Sequence, residues 1–293
     1  MRVNPNHTDS MLAALQRLNA NETEVLRQIS SGQRIQNPCD GPAALASLVQ
    51  LQNSDDNTKQ YLLNGSAVRS QMQMSDSTLN SVVIGLERAL SLGVSGGGSG
   101  TLNADDRNAI AMEIDGIRDN LLDLANTSLQ GSYLFAGTNS GTKPFDESSG
   151  TVIYKGSSNT NQVQIGEGLW IRSSVAGNGI FGLDGASMFD ALQSLSQAVR
   201  AGTGVETSMN ALSAARDRVS SSRVVYGNAL NQIDSAELVM NQRHIQLAQQ
   251  ETDLAGTDMA DAATNLASAE TARNALLATI GKADATSLFD YLK

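Results

Sequence analysis

The chain is poor in cysteine and in aromatic residues. Of its 293 residues, one is a cysteine, Cys39, and 4% are aromatic, although 40% are hydrophobic. A single cysteine excludes an intramolecular disulfide, and aromatic side chains usually fill much of a globular core. The composition therefore predicts thin seams between helices in place of one thick core.

Basic runs and long apolar runs are also missing. The chain has 20 Lys and Arg against 30 Asp and Glu, a formal net charge of −10. Nucleic-acid binding depends on cations that neutralise phosphates, so we expect no nucleic-acid partner. No stretch approaches the roughly 18 apolar residues of a membrane span, so we expect no membrane insertion. Residues 1–7 include no apolar segment of a cleaved signal peptide, so any export needs another route.

Apolar residues recur at heptad spacing near both ends of the chain. Near the amino end the spacing alternates between four and three residues through Met11, Leu15, Leu18, Glu22, Val25 and Ile29. Such spacing predicts helices that pack along a seam. A second heptad pattern lies in residues 205–255, which contain no proline. A helix of that length would extend roughly 75 Å, so it needs antiparallel partners, which the amino-terminal helices can supply.

Local residue chemistry predicts where these helices begin and end. The first helix should close at Ser30-Ser31-Gly32, because glycine readily adopts the left-handed cap conformation. A second helix should run from about Ala43 to Leu92 and stop at a Gly/Ser-rich break over residues 93–100. A third should follow, capped by Asn103 or Asp105.

The middle of the chain has a different pattern. Helical spacing disappears over residues 131–184, and seven of the eleven aromatic residues lie between residues 133 and 189. Short runs of β-branched and aromatic residues predict strands at 151–154, 162–165 and 170–172. We therefore expect a small β-rich domain here.

These patterns together predict a mainly α fold with an inserted small β-rich domain. The helices from both chain ends should form a long antiparallel bundle or coiled coil. We divide the chain into three parts. Residues 1–42 with 256–293 form terminal helices, 43–130 with 187–255 form a helical bundle, and 131–186 form an outer β-rich domain.

The apolar stripes of the two chain ends predict an assembly surface. Two isolated helices bury too little apolar area to offset the cost of ordering them, and exposed stripes of this type mark association surfaces. The predicted interface residues are Met11, Leu15, Leu18, Val25, Ile29, Met259, Leu266, Leu276, Ile280, Leu288, Phe289 and Leu292.

Three segments carry a family resemblance. Residues 28–44, QISSGQRIQNPCDGPAA, resemble the segment after the first helix of bacterial flagellins, approximately LSSGxRIxxxxDDPA, although Gly41 replaces the second Asp. Residues 105–114 resemble the opening of that family's next helix. Residues 131–138, GSYLFAGT, resemble relatives at the hook–filament junction more than filament flagellin. On this resemblance the family turn motif comprises Ser30, Ser31, Gly32, Arg34, Asp40 and Pro42.

The resemblance implies a structural subunit of the bacterial flagellum and not an enzyme. It implies self-assembly through the terminal helices in the junction zone between hook and filament. It further implies secretion through the flagellar type III export apparatus, without a cleaved signal peptide, to an extracellular position. The implied partners are copies of the chain, flagellin, the other hook-associated junction protein and an export chaperone.

Alternative functions stay open at this point. Filament flagellin itself shares the family's motifs, and a coiled-coil scaffold or signalling protein shares the heptads. An enzyme within residues 131–184 is disfavoured, because that segment has no histidine and no recognisable catalytic spacing.

No catalytic, cofactor or metal site is predicted. His244 falls on the seam of the long helix, which favours a packed, hydrogen-bonded side chain. Cys39 has no recognisable base, and the glycines of residues 96–100 lack the Lys-Ser/Thr of a phosphate loop. The pairs Asp55-Asp56 and Asp105-Asp106 are expected to face solvent or to cap helices.

Three glutamates occupy apolar seam positions: Glu22, Glu237 and Glu251. Each either reaches water from the edge of its seam or makes a polar contact that sets the register between helices.

Overall fold

The computed structural model describes residues 6–37, 41–97, 102–148, 150–183 and 185–291, with side chains between residues 9 and 281. These residues form seven helices and six short strands. In chain order they are α1 (Asn6–Ser31), α2 (Pro42–Gly97), α3 (Ala104–Ala125), β1 (Ser128–Leu129), β2 (Ser132–Tyr133), β3 (Phe145–Ser148), β4 (Thr151–Tyr154), β5 (Gln162–Gly166), β6 (Leu169–Arg172), α4 (Gly177–Phe181), α5 (Met188–Ala201), α6 (Val205–Ala255) and α7 (Met259–Tyr291). The predicted fold class is confirmed.

The chain divides into two compact units. Unit 1 comprises Met1–Asp56 and His244–Lys293, and unit 2 comprises Asn57–Arg243. Unit 1 therefore holds α1, α7 and one end each of α2 and α6. The finer division into three parts stays a prediction.

Unit 2 is built around one apolar core. Its buried residues come from α2, α3, α5, α6 and the segment between α3 and α5. Four phenylalanines stand at its centre, and Phe181 meets both Phe135 and Phe145 edge to face with ring centroids 5.2 Å apart. The phenylalanines of the middle segment thus form a core that is continuous with the helical core.

The strands form separate antiparallel pairs in the described part of the chain. β1 pairs with β2, β3 with β4, and β5 with β6. The three strands predicted from the sequence correspond to β4, β5 and β6. Sequence analysis did not predict β1, β2, β3 or the five-residue helix α4.

The predicted break after Leu92 is wrong at its start, because α2 continues to Gly97. The glycines here allow close helix packing and do not end the helix. A Cβ added at Gly93 would lie 3.2 Å from Leu195 on α5, and one at Gly96 would lie 2.8 Å from Val199. Residues 98–101 lie outside the described part of the chain.

Side-chain caps begin α3 and α5. The Asn103 side chain accepts a hydrogen bond from the backbone N–H of Asp106 at 2.8 Å, which confirms one of the two predicted caps. Asp105 and Asp106 are exposed in the first turn of α3, as expected. Ser187 and Asp190 form a reciprocal capping box at the start of α5.

Candidate assembly interface

Helices α1 and α7 contact each other in unit 1. Both expose polar residues on one side and half-bury apolar residues at heptad spacing on another. The half-buried positions on α1 are Met11, Leu15, Leu18, Val25 and Ile29, and those on α7 are Leu266, Ala269, Leu276 and Ile280, with Ala262 buried. The predicted seam residues are thus already partly covered within the chain.

One ion pair fixes the alignment of these two helices. Arg273 Nη1 donates to Glu22 Oε1 at 3.0 Å and to Glu22 Oε2 at 2.7 Å. The Glu22 side chain is only 15% exposed. Of the two possibilities for this seam glutamate, the polar contact between helices is the one present.

The family turn motif joins the end of α1 to the α6–α7 connection. Gly32 has φ +70°, and its N–H caps α1 by donating to the carbonyl of Gln28 at 2.9 Å. The Arg34 N–H donates to the carbonyl of Ala255 at 2.7 Å, and the Gly32 carbonyl accepts from the Thr257 N–H at 3.0 Å. These contacts hold the two chain ends together.

The side chains of the motif add to this junction. Arg34 Nη2 donates to the carbonyl of Leu254 at 3.2 Å, and Ser31 Oγ accepts from the Gln33 N–H at 3.1 Å. Ser30 is exposed in the last turn of α1. Pro42 begins α2, where its missing N–H has no cost. Asp40 and Cys39 lie outside the described residues.

A small apolar cluster lies beside the turn. Ile35 is 2% exposed and packs with Leu48 of α2 and Ala255 of α6. The motif's backbone bonds and this cluster together position α1 against α7.

Polar contacts also join α2 and α6 within unit 1. His244 Nδ1 contacts a carboxylate oxygen of Asp55, and Gln52 Nε2 donates to Glu251 Oε1 at 3.0 Å. His244 is hydrogen-bonded, as predicted. The expectation that Asp55 faces solvent is wrong. Its carboxylate contacts His244 on the facing helix, and Asp55 is only 8% exposed. Glu251 contacts the neighbouring helix, as Glu22 does.

The charged residues of α2 and α6 pair with each other in the middle of unit 2. Arg69 contacts Asp234 at 2.5 Å and Glu237 at 2.7 Å, and Arg223 contacts Asp76 at 2.9 Å. Glu237 is therefore the third seam glutamate with a contact across a helix pair. These pairs align α2 and α6 antiparallel, with 69 opposite 234–237 and 76 opposite 223.

Large apolar side chains remain exposed on the outer sides of α1 and α7. Met259 was predicted as an interface residue, whereas Leu12, Leu26 and Leu277 were missed. Their exposed fractions are 55% for Leu12, 47% for Leu26, 51% for Met259 and 47% for Leu277. Leu12 and Leu26 are 14 residues apart, two heptads, and this spacing is the signal that could have identified them.

The remaining predicted interface residues are at the carboxyl end. Leu288 and Phe289 fall within the bounds of α7, and their side chains lie outside the described part. Leu292 lies wholly outside it.

Both the sequence and the fold of this chain are similar to those of known proteins. The family model of the bacterial flagellin N-terminal helical region matches residues 4–140. Flagellar hook-associated protein 3 of Escherichia coli (strain K12) is 28% identical over 255 residues, covering 79% of this chain and 80% of that protein. The chain is thus similar to bacterial flagellins over its amino-terminal part and to a hook-associated protein over most of its length.

Two further comparisons agree with this similarity. Flagellar hook-associated protein 3 of Salmonella typhimurium is 36% identical over 124 residues, 42% of this chain and 39% of that protein. A solved structure from Vibrio parahaemolyticus, described as a flagellar hook-associated protein, has a TM-score of 0.69 at 21% identity, over 74% of this chain and 100% of that one. The latter likeness establishes the fold. The similarity to flagellar structural proteins, which are not enzymes, supports a structural role.

In the described ranges, no helix is both long enough and apolar enough to cross a membrane. Among the same residues, no three His, Cys, Asp or Glu side chains are grouped so that they could hold a metal ion.

Proposed function

We propose that this chain is a subunit of the junction between hook and filament, and that it assembles with its own copies through α1 and α7. One observation carries the proposal: the α1–α7 pair covers its heptad seam internally and leaves Leu12, Leu26, Met259 and Leu277 exposed outside. Exposed apolar residues repeated on one side of a helix pair are typical of association surfaces.

The size of this apolar surface fits assembly with several neighbours. Burying one such side chain from full exposure contributes about 1.5–3 kcal/mol. Each of the four is only about half exposed, so together they contribute roughly 3–6 kcal/mol. Association of two proteins costs an estimated 4–15 kcal/mol in lost freedom. A contact with one neighbour is therefore at best near balance, and a closed arrangement of copies, in which each contacts two others, is favoured.

The identity of the relatives supports the position at the junction. The curated relatives in Escherichia coli and Salmonella typhimurium are both named flagellar hook-associated protein 3. By analogy, the partners are flagellin on one side and the other hook-associated junction protein on the other. Export occurs through the type III apparatus without a cleaved signal peptide, after a chaperone has held the carboxyl-terminal helix.

Electron microscopy of the purified chain, with and without flagellin filament seeds, tests this function. A junction subunit gives at most short assemblies alone and binds the end of a seed as a limited zone. Long filaments grown from the pure chain would establish the alternative, filament flagellin. Failure to bind either seeds or hooks would favour a scaffold or signalling coiled coil.

A chain lacking residues 1–31 and 257–293 is the matched control. It keeps unit 2 complete and removes both terminal helices. Under the proposal it binds neither seeds nor hooks, and incorporation of this truncated chain into working flagella would contradict the role of α1 and α7.

A further inference from the structure

Helices α2 and α6 present two uncharged surfaces to the outside of unit 2. The α2 face consists of exposed residues that fall within an arc of roughly 80° on the helix: Leu63, Ser70, Met74, Ser77, Ser81 and Ile84. The α6 face consists of exposed residues at alternating spacings of four and three: Val224, Asn228, Asn231, Ser235, Leu238 and Gln242. We propose that the α2 face of one copy packs on the α6 face of the next copy.

The charged side chains of these two helix segments lie along the contact between them. Residues 61–86 and 221–242 contain five charged side chains, and all five form ion pairs between α2 and α6: Arg69, Asp76, Arg223, Asp234 and Glu237. A helix on the surface of a monomeric protein usually carries charged side chains on its outer side. Here the five charged side chains lie along the α2–α6 contact, so neither helix adds a charge to its outer face, and the nearest charges beside the α6 face are Glu167 and Arg172 of the β5–β6 pair.

Both faces also expose large apolar side chains. On α2, Leu63 is 65% exposed and Ile84 58%, with Met74 between them. On α6, Val224 is 64% and Leu238 73% exposed, 14 residues apart. Scattered exposed apolar residues are ordinary, whereas heptad repetition on a charge-free face is the pattern of a helix seam.

The net charge favours a second copy as the occupant. Two copies with a formal charge of −10 each repel one another. They approach most easily through surfaces with few charges, and α2 and α6 contribute no charged side chain to these two faces. An acidic or basic partner would gain nothing from faces that offer it no ion pair.

The shapes and lengths of the faces match each other. The α2 face spans residues 63–84 and the α6 face residues 224–242, which correspond to about 33 and 29 Å of helix. Small serines separate the large side chains on α2, so the larger Val and Leu side chains of α6 can fit between ridges. Because the two faces are different, the contact is heterologous and repeats from copy to copy until a ring closes.

The contact is small by itself. A strip about 30 Å long and about 10 Å wide covers roughly 300 Å², below the approximately 800 Å² per partner of a stable interface. The faces should therefore pair only where other surfaces already hold copies side by side. This inference rests on the proposed function and adds which surfaces of unit 2 meet.

Cysteine cross-linking in assembled flagella tests the contact. In a Cys39→Ser background, Ser77→Cys lies on the α2 face and Ser235→Cys on the α6 face. Both changes are placed in one chain, and each is also made alone; all replace the parent chain in motile cells. Isolated flagella are treated with a flexible bis-maleimide and analysed by denaturing gel and mass spectrometry. The matched control combines Ser235→Cys with Asn120→Cys, at an exposed position on α3.

The expected result is a ladder of covalent dimers and larger multiples from the double variant alone. The pairing is overturned if motile cells give no ladder, if the single variants form dimers as well, or if the adducts contain flagellin or another flagellar protein. If the parent chain itself never enters flagella, the proposed function fails, which is a separate outcome.

A second measurement covers the case in which the cysteine variants assemble poorly. Ser77→Glu and Ser235→Glu should each reduce incorporation by about tenfold, because each carboxylate would lose its hydration in the contact. Asn120→Glu should have no effect. Circular dichroism of the purified variants checks that each one is folded. Normal incorporation of Ser77→Glu or Ser235→Glu overturns the inference.

Discussion

The carboxylate of Glu22 on α1 accepts hydrogen bonds from Arg273 on α7, 251 positions further along the chain. Glu22 stands in a seam that is otherwise apolar, between Leu18 and Val25, and Arg273 stands between Ala269 and Leu276. A slip of either helix by one turn would separate the pair and leave the carboxylate in an apolar seam. The ion pair therefore sets the register of the two chain ends.

A double-mutant cycle on this pair measures that effect. Glu22→Gln and Arg273→Met should each lower the stability of the α1–α7 pair by about 1 kcal/mol, since both side chains keep some contact with water. The double variant should lose less than the sum of the two. Amide hydrogen exchange within α1 is the measurement. Additive losses would mean that the two side chains do not interact.

Replacing the outward leucines should affect assembly and leave the fold intact. Leu12→Gln with Leu277→Gln removes exposed apolar surface and should weaken association by tenfold or more, because the two half-exposed side chains together contribute about 1.5–3 kcal/mol of burial. Leu15→Gln, in the half-buried seam, should instead lower helix protection in the free chain. Sedimentation and hydrogen exchange separate the two effects. Equal loss of helix protection in both variants would contradict this assignment.

Two glycines in long helices should respond oppositely to alanine. At Gly96 the new Cβ would lie 2.8 Å from Val199 Cγ1, a buried β-branched side chain that cannot turn aside. Gly96→Ala should therefore cost about 1–3 kcal/mol. At Gly116, where nothing lies within 4 Å, alanine should stabilise α3 by about 0.5–1 kcal/mol. Urea unfolding of the two variants measures both effects. A gain in stability from Gly96→Ala would contradict close packing of α2 against α5 at this position.

The two carboxylates that contact Arg69 should act together. Glu237→Leu alone should change stability by about 1 kcal/mol or less, because Asp234 still pairs with the guanidinium. Adding Asp234→Asn also removes the second carboxylate that contacts Arg69, whose side chain is 29% exposed. The double variant should therefore be less stable than the parent chain by about 2–4 kcal/mol. Urea unfolding of the single and double variants gives these values. A large gain in stability from Glu237→Leu would show that its carboxylate has no structural role.

Tyr226 should make the fold sensitive to alkali. Burial raises the pKa of Tyr226 above its ordinary value, and its hydroxyl is hydrogen-bonded to Ser75. Above about pH 10 the unfolded chain ionises this tyrosine while the folded chain keeps it neutral, so stability falls as pH rises. Tyr226→Phe should remove this contribution to the decrease in stability at high pH. Because it also removes a hydrogen bond, it should lower the free energy of unfolding by about 1 kcal/mol near neutral pH. Thermal unfolding from pH 7 to 11 tests this, and an unchanged alkaline slope would contradict it.

Local features of the fold could be predicted from the sequence because neighbouring residues determine them. Gly32 ends α1 through its own left-handed φ, and Asn103 begins α3 through a bond to a backbone N–H three residues away. The strand at Thr151–Tyr154 follows from its β-branched residues. The heptad spacing likewise predicted which positions of α1 would be half-buried. The site as a whole was predicted less well, since Leu12, Leu26 and Leu277 lie beside the seam and not in it.

Partners far apart in the chain could not be predicted in this way. Sequence spacing placed His244 on a seam, but only the packing of α6 against α2 brought Asp55 to it and buried that carboxylate. Residues 93–97 have the glycine content of a loop, yet they are helical. Their glycines are needed because α5 and α6 pack so closely against this part of α2 that there is no room for a side chain.

The sequence by itself determined the long helices, several of their ends and the positions that face a seam, because these depend on the backbone preferences and spacing of adjacent residues. The tertiary structure decided which helices share a seam, which charges are paired and which apolar residues remain outside. Those outcomes depend on contacts between segments as distant as Glu22 and Arg273, whose distance in space is set only when the whole chain packs.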